Sequence, residues 1–346
     1  MEGVIEDMVM GKRVLITGAT GFIGNHVARL SLERGDQVRV MVMPGEDRSP
    51  LDGMDVEIVE GNLLEPASLR KTVDGIEQLY HLAALFKVWT KDPALHYKIN
   101  VEGAQAMMLA AKAASVQKIV FTSSIVALGL PADPQTPMTE ENPFTIWDMA
   151  SPYILSKYIS HHLVKGMVAH GLPATIVMPC FPFGPGDRMP TPTGTIILSV
   201  LEGKLKNYFS GGIAAVDVRD VAAGHVLAMD KGALGESYTL GNAAGNLTHK
   251  DFALMVGRIA GVDKVATSPI SDKMMIRVAK MMGLYSGITG KEPITTLENT
   301  TYALNYPWVN PSKAVTELGL PQSPLEQAVE DSIAWFRDRG YVGKQR

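Results

Sequence analysis

A glycine-rich turn between an apolar strand and a helix is the feature that most restricts the fold of this 346-residue chain. Gly18, Gly21 and Gly24 stand three residues apart, after the apolar residues 13–16 and before a helical pattern over 25–34. Glycines let a backbone approach a pyrophosphate closely, and the unpaired amides at a helix N-terminus face that anion. The turn therefore predicts a phosphate-binding site.

Apolar, β-branched runs alternate with helical patterns through the first half of the chain. The strand candidates after the first are 38–43, 56–59, 78–81, 118–122 and 174–178. This alternation predicts right-handed crossovers and a parallel, doubly wound sheet. Ligands bind such sheets at the carboxyl ends of the strands, so the residues that follow each strand are candidate site residues.

Three residues carry candidate catalytic chemistry. Tyr153 and Lys157 are four residues apart, so on a helix both lie on one face. A phenol with its ordinary pKa of about 10 is a poor proton donor or acceptor at neutral pH, and a neighbouring ammonium lowers that pKa. Ser124, just past strand 118–122, supplies a hydroxyl that orients a carbonyl oxygen. The Tyr-Lys spacing alone also suits a surface helix, but the three elements together favour acid-base work on an alcohol or ketone.

Through these motifs the chain resembles the extended short-chain dehydrogenase/reductases, and the resemblance covers nearly all of residues 12–341. The similar segments are Thr17-Gly18-Ala19-Thr20-Gly21-Phe22-Ile23-Gly24, Glu60-Gly61-Asn62-Leu63, His81-Leu82-Ala83-Ala84, Asn100-Val101-Glu102-Gly103, Ser124, the Tyr153-Lys157 pair and Gly184-Pro185-Gly186. Within the family, the chain is most similar to the dihydroflavonol 4-reductase-like branch, particularly its bacterial hopanoid-cluster members. That similarity lies in Phe86-Lys87-Val88-Trp89, Pro190-Thr191-Pro192-Thr193-Gly194 and Ser312-Lys313-Ala314.

The resemblance implies a Rossmann-type α/β fold, a doubly wound parallel sheet with a smaller C-terminal substrate lobe. We expect an N-terminal extension over 1–10, an NAD(P)-binding domain over 11–185 with a return segment near 213–232, and mainly a substrate-binding lobe over 186–346. The family also implies a homodimer, paired through the Tyr153 helix and the helix over 92–113. The residues expected to contact the cofactor are Gly18, Gly21, Phe22, Ile23, Gly24, Arg48, Asn62, Leu63, Ala83, Ala84, Thr122, Tyr153, Lys157 and Pro179.

Cofactor preference depends on the end of the second strand. A carboxylate there hydrogen-bonds the adenosine ribose and repels a 2′-phosphate, whereas an arginine favours NADP. This chain has Met43 where the resembling branch usually has arginine, and Arg48 either reaches a phosphate or is a solvated charge offset by Glu46 and Asp47. We predict NADP because no carboxylate occupies the strand end, and NAD stays open. Asn62 replaces the usual aspartate that binds the adenine amine.

The expected reaction is interconversion of a hydrophobic ketone (aromatic, alicyclic or acyl) and its secondary alcohol. Ser124 precedes Ile125-Val126-Ala127 instead of the acidic pair of sugar-nucleotide dehydratases. Met178-Pro179-Cys180-Phe181 replaces the Arg-x-Phe-Asn typical of sugar-nucleotide epimerases. The predicted substrate contacts are apolar: Phe86, Trp89, Ile125, Trp147, Phe181 and Phe183. The alternative is an NAD-dependent epimerase that acts through a transient ketone.

Composition disfavours several other classes. A formal net charge of −4 provides no basic field for nucleic acid. No apolar run reaches the roughly 20 residues that span a bilayer. The single cysteine, Cys180, cannot form an internal disulfide and is expected to be a buried inert thiol; since the start of the chain lacks a secretory apolar region, we expect a cytoplasmic protein. The eight histidines have no metal-ligand spacing, so we predict no metal site.

Two segments outside these motifs are informative. The long, proline-rich stretch 129–151 predicts a loop over the active site. The methionine-rich segment 272–290 predicts a packed amphipathic helix, with a mobile lid or a membrane-surface helix as alternatives. Only Lys273, Arg277 and Lys280 support the last of these.

Overall fold

The computed structural model describes residues 11–87 and 89–342. The predicted extension 1–10, Val88 of the Phe86–Trp89 motif and residues 343–346 lie outside the described residues. The strands are β1 (Arg13–Thr17), β2 (Gln37–Val42), β3 (Glu57–Glu60), β4 (Gln78–His81), β5 (Lys118–Thr122), β6 (Ala174–Pro179), β7 (Phe181–Phe183), β8 (Asn207–Tyr208), β9 (Gly212–Asp217), β10 (Ser237–Leu240), β11 (Asn246–Thr248) and β12 (Ser268–Pro269).

The helices connect these strands and cover both faces of the main sheet. They are α1 (Phe22–Glu33), α2 (Pro66–Val73), α3 (Ala94–Tyr97), α4 (Ala104–Ala113), α5 (Pro152–Ala169), α6 (Pro192–Leu201), α7 (Val218–Lys231), α8 (His249–Ala260), α9 (Asp272–Thr289), α10 (Leu297–Ala303) and α11 (Leu325–Asp338). A π-helical turn, Lys98–Gly103, joins α3 to α4.

The main sheet has seven parallel strands in the order β10-β6-β5-β4-β1-β2-β3. Thr17 of β1 pairs with His81 of β4, and Thr122 of β5 pairs with Val177 of β6. The strands therefore end along one edge, and the predicted doubly wound α/β fold is confirmed.

Burial on both faces explains why these strands read as continuous apolar runs. Along β1, Val14 and Ile16 belong to the core cluster on one face of the sheet, and Leu15 belongs to the cluster on the other. Strand β6 is buried at every position.

The second half of the chain builds a smaller lobe and also returns to the sheet. Strands β11, β9 and β7 form a three-stranded sheet, and the lobe core contains Phe183, Phe252 and Phe336. After β9 the chain re-enters the first unit, where α7 packs on α1 and β10 forms the outermost strand beside β6.

Element boundaries follow the sequence prediction closely, with one informative difference. Strands 78–81 and 118–122 have the predicted bounds, and the others differ by a residue. Helix α1 begins at Phe22, earlier than predicted, because the amide of Asn25 already bonds the carbonyl of Gly21 at 3.0 Å. The helix therefore starts inside the glycine turn.

The structure shows the conformation of the two segments that lie outside the motifs, 129–151 and 272–290. Stretch 129–151 contains neither helix nor strand, and a bridge between Met138 and Val309 ties it to the C-terminal region. Segment 272–290 is helical, capped by Ser271 and by left-handed Gly290, but Ala279 and Ser286 are its buried residues. It is therefore not the packed amphipathic helix that the sequence predicted.

Substitution of Gly24 tests the close packing of the glycine turn. A Cβ at Gly24 would lie 2.1 Å from the carbonyl oxygen of Gly18, so we expect Gly24→Ala to lower the free energy of unfolding by about 1–3 kcal/mol. Gly166 lies on an exposed part of α5 with open space where its Cβ would stand. The matched variant Gly166→Ala should instead raise that free energy by about 1 kcal/mol. Urea unfolding curves measure both, and equal effects of the two variants would contradict this account.

Candidate active site

The glycine turn forms a backbone cradle at the carboxyl end of β1. Gly18 has a φ of +77°, and a Cβ there would lie 2.9 Å from the amide nitrogen of Ala83. The amide of Gly21 donates to the carbonyl of Gly18 at 3.0 Å. Helix α1 has no side-chain cap and no acidic residue in its first turn. This cradle, with free amides at the positive end of a helix, fits the pyrophosphate of a dinucleotide.

The three predicted catalytic residues converge beside this cradle. Helix α5 starts directly after Ser151, whose side chain accepts from the amide of Ile154 at 3.3 Å. Tyr153 lies in the first turn of α5, with its phenol near enough to the Ser124 hydroxyl for that hydroxyl to lower the phenol pKa. One turn later the buried Lys157 donates from Nζ to the carbonyl of Thr122 at 3.0 Å. The end of β5 and the start of α5 therefore form one site.

The electrostatics of this site differ from the sequence expectation in one respect. Desolvation raises the pKa of Tyr153 above its ordinary value, and the nearby Ser124 hydroxyl opposes that rise. Burial lowers the pKa of Lys157 to about 8. The predicted lowering of the phenol pKa by Lys157 is therefore wrong for this structure, because desolvation dominates and the ammonium bonds Thr122. Tyr153 is therefore protonated at neutral pH, although the raised pKa by itself makes the phenol a weaker acid.

Asn100 anchors the catalytic helix, and the sequence analysis assigned it no role. Its Oδ1 accepts from the amide of Leu85 at 2.7 Å, and its Nδ2 donates to the carbonyl of Leu85 at 3.2 Å and to Oγ of Ser156 at 2.9 Å. Asn100 lies in the π-helical turn, an irregularity often found at functional sites. Asn100 thus joins the loop after β4 to α5. The motif Asn100-Val101-Glu102-Gly103 was the sequence signal that could have indicated this role.

Neutral histidines support the strand ends beneath the site. Nδ1 of His81 lies 3.0 Å from Oγ1 of Thr17, and Nε2 of His225 lies 3.0 Å from Oγ1 of Thr122. Burial lowers the pKa of His81 to about 3 and that of His225 to about 4. Both rings are uncharged at neutral pH, so their role here is to hold β1, β4 and β5 in place.

The predicted cofactor residues lie around the same edge. Ala83 and Ala84 follow β4, and Pro179 ends β6. Asn62 is engaged locally, since its Oδ1 accepts from the amide of Leu64 at 3.0 Å and its Nδ2 donates to Glu65 at 3.1 Å. Its oxygen keeps a second lone pair for an adenine amine. Three further predicted cofactor contacts are apolar side chains. Phe22 packs edge-on against His26, Ile23 is half-buried, and Leu63 is buried in the core.

A carboxylate does occupy the end of β2, although the sequence prediction assumed that none did. Oε1 of Glu46 accepts from Oγ1 of Thr20 at 2.5 Å, and Oε2 accepts from the amide of Met43 at 2.7 Å. The turn after β2 folds back through Gly45, whose φ is +78°, and this brings Glu46 beside the glycine turn. Arg48, the predicted cation for a 2′-phosphate, is paired with Glu60. The premise of the NADP prediction is therefore not met.

The predicted substrate residues fall into two groups. Phe86 lies with its ring centroid 5.2 Å from that of Tyr153 in an edge-on arrangement, and Phe181 packs on the apolar cluster that includes Tyr302. Trp89 is half-buried, and Trp147 is exposed and packs on Phe144 and Tyr158.

Two predicted substrate contacts are corrected. Phe183 is fully buried in the lobe core against Phe252, with ring centroids 5.3 Å apart. Ile125 is buried in the core of the sheet unit. Neither side chain offers surface to a ligand.

The described part of the chain has neither a metal-binding cluster of side chains nor a helix that could span a membrane. Residues 11–87 and 89–342 contain no group of three or more His, Cys, Asp or Glu side chains that could hold a metal ion. Within the same ranges, no helix combines the length and the apolar character needed to cross a bilayer.

Comparison with known proteins agrees with this geometry. A model of the NAD dependent epimerase/dehydratase family matches residues 14–241. The chain is 32% identical, over 98% of both lengths, to a protein of Synechocystis sp. provisionally named dihydroflavonol 4-reductase. It is 31% identical to sterol demethylase protein B of Methylococcus capsulatus, over 95% of this chain and 99% of that one. The crystal structure of gox2253 superposes with a TM-score of 0.85 at 38% identity, covering 96% of this chain and all of the other.

The chain thus belongs to the NAD-dependent epimerase/dehydratase family. It is an NAD(P)-dependent oxidoreductase with the extended short-chain dehydrogenase/reductase fold that the motifs predicted.

Cys180 provides a test of burial beside the site. It follows β6 and is buried, and burial raises the pKa of its thiol. Because the thiolate is the reactive form, we expect no reaction with Ellman's reagent in the native protein at pH 8 and one equivalent per chain after denaturation in guanidinium. Rapid modification of the native protein would contradict the placement of Cys180.

Proposed function

We propose that the chain is a reductase that interconverts a hydrophobic ketone and its secondary alcohol. The observation that carries the proposal is the half-buried Tyr153, whose phenol lies beside the hydroxyl of Ser124 and is bordered by apolar side chains. A protonated phenol can give its proton to a carbonyl oxygen when a nearby positive charge, here that of Lys157, stabilises the phenolate that remains.

The roles of the three catalytic residues follow from their contacts. Ser124 holds the carbonyl oxygen through its hydroxyl, and Tyr153 donates its phenolic proton to that oxygen. Lys157, anchored on the Thr122 carbonyl, supplies positive charge beside the phenolate that Tyr153 leaves. When bound at the glycine cradle, the nicotinamide cofactor supplies the hydride.

The surroundings of Tyr153 favour a bulky, apolar substrate. Phe86 stands edge-on to its ring, and Phe144, Met149 and Tyr302 belong to the same apolar cluster. Apolar walls with a few convergent polar groups bind hydrophobic small molecules. The names of the Synechocystis and Methylococcus relatives, which refer to a dihydroflavonol and to a sterol, support a polycyclic ketone as the class to try first.

The expected homodimer and cytoplasmic location remain proposals. The helices expected to pair carry exposed apolar side chains, Leu109 on α4 and Ile159 on α5. A four-helix contact between two copies would cover them.

The proposed reaction is tested by reduced-nicotinamide oxidation with a panel of aromatic, alicyclic and acyl ketones. We expect the wild-type chain to oxidise cofactor with at least one hydrophobic ketone, and Tyr153→Phe to lose about 10²- to 10⁴-fold in kcat because the proton donor is removed. Tyr97→Phe, a phenol on α3, is the matched control and should keep its activity. Near-normal turnover by Tyr153→Phe would contradict this mechanism. If no ketone of the panel is reduced and NAD copurifies with the protein, the epimerase alternative is favoured.

The cofactor preference that this geometry supports is NAD. Glu46 lies between the glycine turn and the end of β2, where the adenosine ribose binds in such folds. Its carboxylate would accept hydrogen bonds from the ribose hydroxyls and repel a 2′-phosphate. Arg48 is paired with Glu60 in an exposed ion pair, so its charge is already partly offset.

Titration of the protein with NADH and NADPH, followed by fluorescence, tests this preference without turnover. We expect NADH to bind more tightly, and Glu46→Gln to weaken NADH by about 10- to 10²-fold, as expected for loss of a charged hydrogen-bond acceptor. The same variant should bind NADPH more tightly than the wild type does. Asp47→Asn removes a neighbouring carboxylate that bonds Ser49 and should change neither affinity. Tighter binding of NADPH by the wild type would overturn the role given to Glu46.

A further inference from the structure

Helix α9 carries a continuous apolar stripe on its exposed side. The stripe consists of Met274, Val278, Met281, Leu284, Tyr285 and Ile288. Apart from Leu284 they recur at intervals of four and three residues, which places them along one line of a helix. Ile288 is 86% exposed, and Ile294, just beyond the helix, is 88% exposed. Exposed apolar side chains scattered singly need no explanation, but a contiguous patch marks an interaction surface.

Cations border this stripe. Lys273, Arg277 and Lys280 follow the same helical spacing one position before Met274, Val278 and Met281, so they run along one edge of the stripe. Segment 272–292 has four cations and two carboxylates in a chain whose net charge is −4. One of those carboxylates, Asp272, is hydrogen-bonded to Ser210. The surface of α9 is therefore basic as well as apolar.

A cavity of about 660 Å³ opens at the N-terminal end of the same helix. Lys273 lines it, together with Lys250 and the rings of Tyr208 and Tyr306. Nζ of Lys250 stands 4.7 Å from the centre of the Tyr208 ring. The cavity thus adds a second lysine and two amphipathic aromatic side chains to the basic edge.

We propose that α9 docks the protein on an anionic lipid bilayer. The stripe would enter the boundary between headgroups and acyl chains, and the cations along its edge would meet lipid phosphates. This combination of an apolar face with lysine and arginine beside it is the signature of a helix that lies in a membrane surface.

A second copy of the chain fits the stripe less well. Pairing of α9 with itself would bring the three cations of each copy to one interface, and segment 273–288 contains no carboxylate of its own to compensate them. An anionic lipid bilayer accommodates both the apolar stripe and the cations along its edge.

The position of α9 relates this surface to the active site. Helix α9 packs on α10, and Tyr302 of α10 belongs to the apolar cluster that also contacts Tyr153. A chain docked through α9 would hold the apolar side of its site close to the bilayer. A hydrophobic ketone could then pass from the bilayer to Tyr153 with little exposure to water, a consequence that rests on the proposed function.

Vesicle flotation tests the docking surface independently of catalysis. With vesicles of phosphatidylcholine and phosphatidylglycerol in equal parts, we expect the wild-type chain to float at low salt, and to remain in solution with phosphatidylcholine alone. Lys273→Gln/Arg277→Gln/Lys280→Gln should weaken partition by about 10²-fold, since each cation near such a surface contributes about fivefold. Leu284→Glu/Ile288→Glu should weaken it by at least tenfold.

Two controls separate the outcomes. Leu234→Glu places a charge at another exposed leucine, outside α9, and should leave partition unchanged. A wild-type chain that fails to float, or an equal loss from Leu234→Glu, would overturn the proposal. So would light scattering in which Leu284→Glu/Ile288→Glu converts a dimer to a monomer, because the stripe would then be an interface between copies. None of these results bears on the ketone reductase assay.

Discussion

Hydrogen bonding between parallel strands brings the glycine cradle and the catalytic serine to one edge of the sheet. Strands β1, β4, β5 and β6 pair in a register that ends them along one edge. Gly18, Ala83, Ser124 and Pro179 lie on the connections or final residues at that edge although they are far apart in sequence. A slip of one residue in any pair would turn buried side chains to the opposite face, so the burial of both faces holds the register.

The catalytic helix depends on polar contacts made inside the protein. Burying an ammonium costs free energy unless it is hydrogen-bonded, and Lys157 finds the Thr122 carbonyl at 3.0 Å. Asn100 provides the second attachment, through Ser156 and both backbone groups of Leu85. The same desolvation moves the two pKa values in opposite senses, up for Tyr153 and down for Lys157, so that each favours its neutral form.

Sequence reasoning succeeded where periodicity and local chemistry act within a few residues. Strands 78–81 and 118–122 were predicted with their observed bounds because each is a short apolar run between polar residues, Gln78 and His81 in one and Lys118 and Thr122 in the other. Glu46 was missed because the rule inspects the residue at the strand end, whereas a left-handed Gly45 folds a later residue back to it. Phe183 was wrongly predicted to contact the substrate. An aromatic residue in a loop-rich segment gives the same sequence pattern whether its side chain faces a ligand or the core.

Helix α9 illustrates a separation between what folds an element and what it presents. Its start is capped by the hydroxyl of Ser271 and its end by the left-handed Gly290, and it is attached to the lobe through Ala279, Ser286 and the packing of α10. These contacts use one side of the helix. The opposite side therefore contributes little burial to folding, and its composition is free to serve an external surface. A contiguous line of exposed apolar residues favours aggregation when nothing covers it. Such a line beside a basic edge is therefore expected to serve as a binding surface.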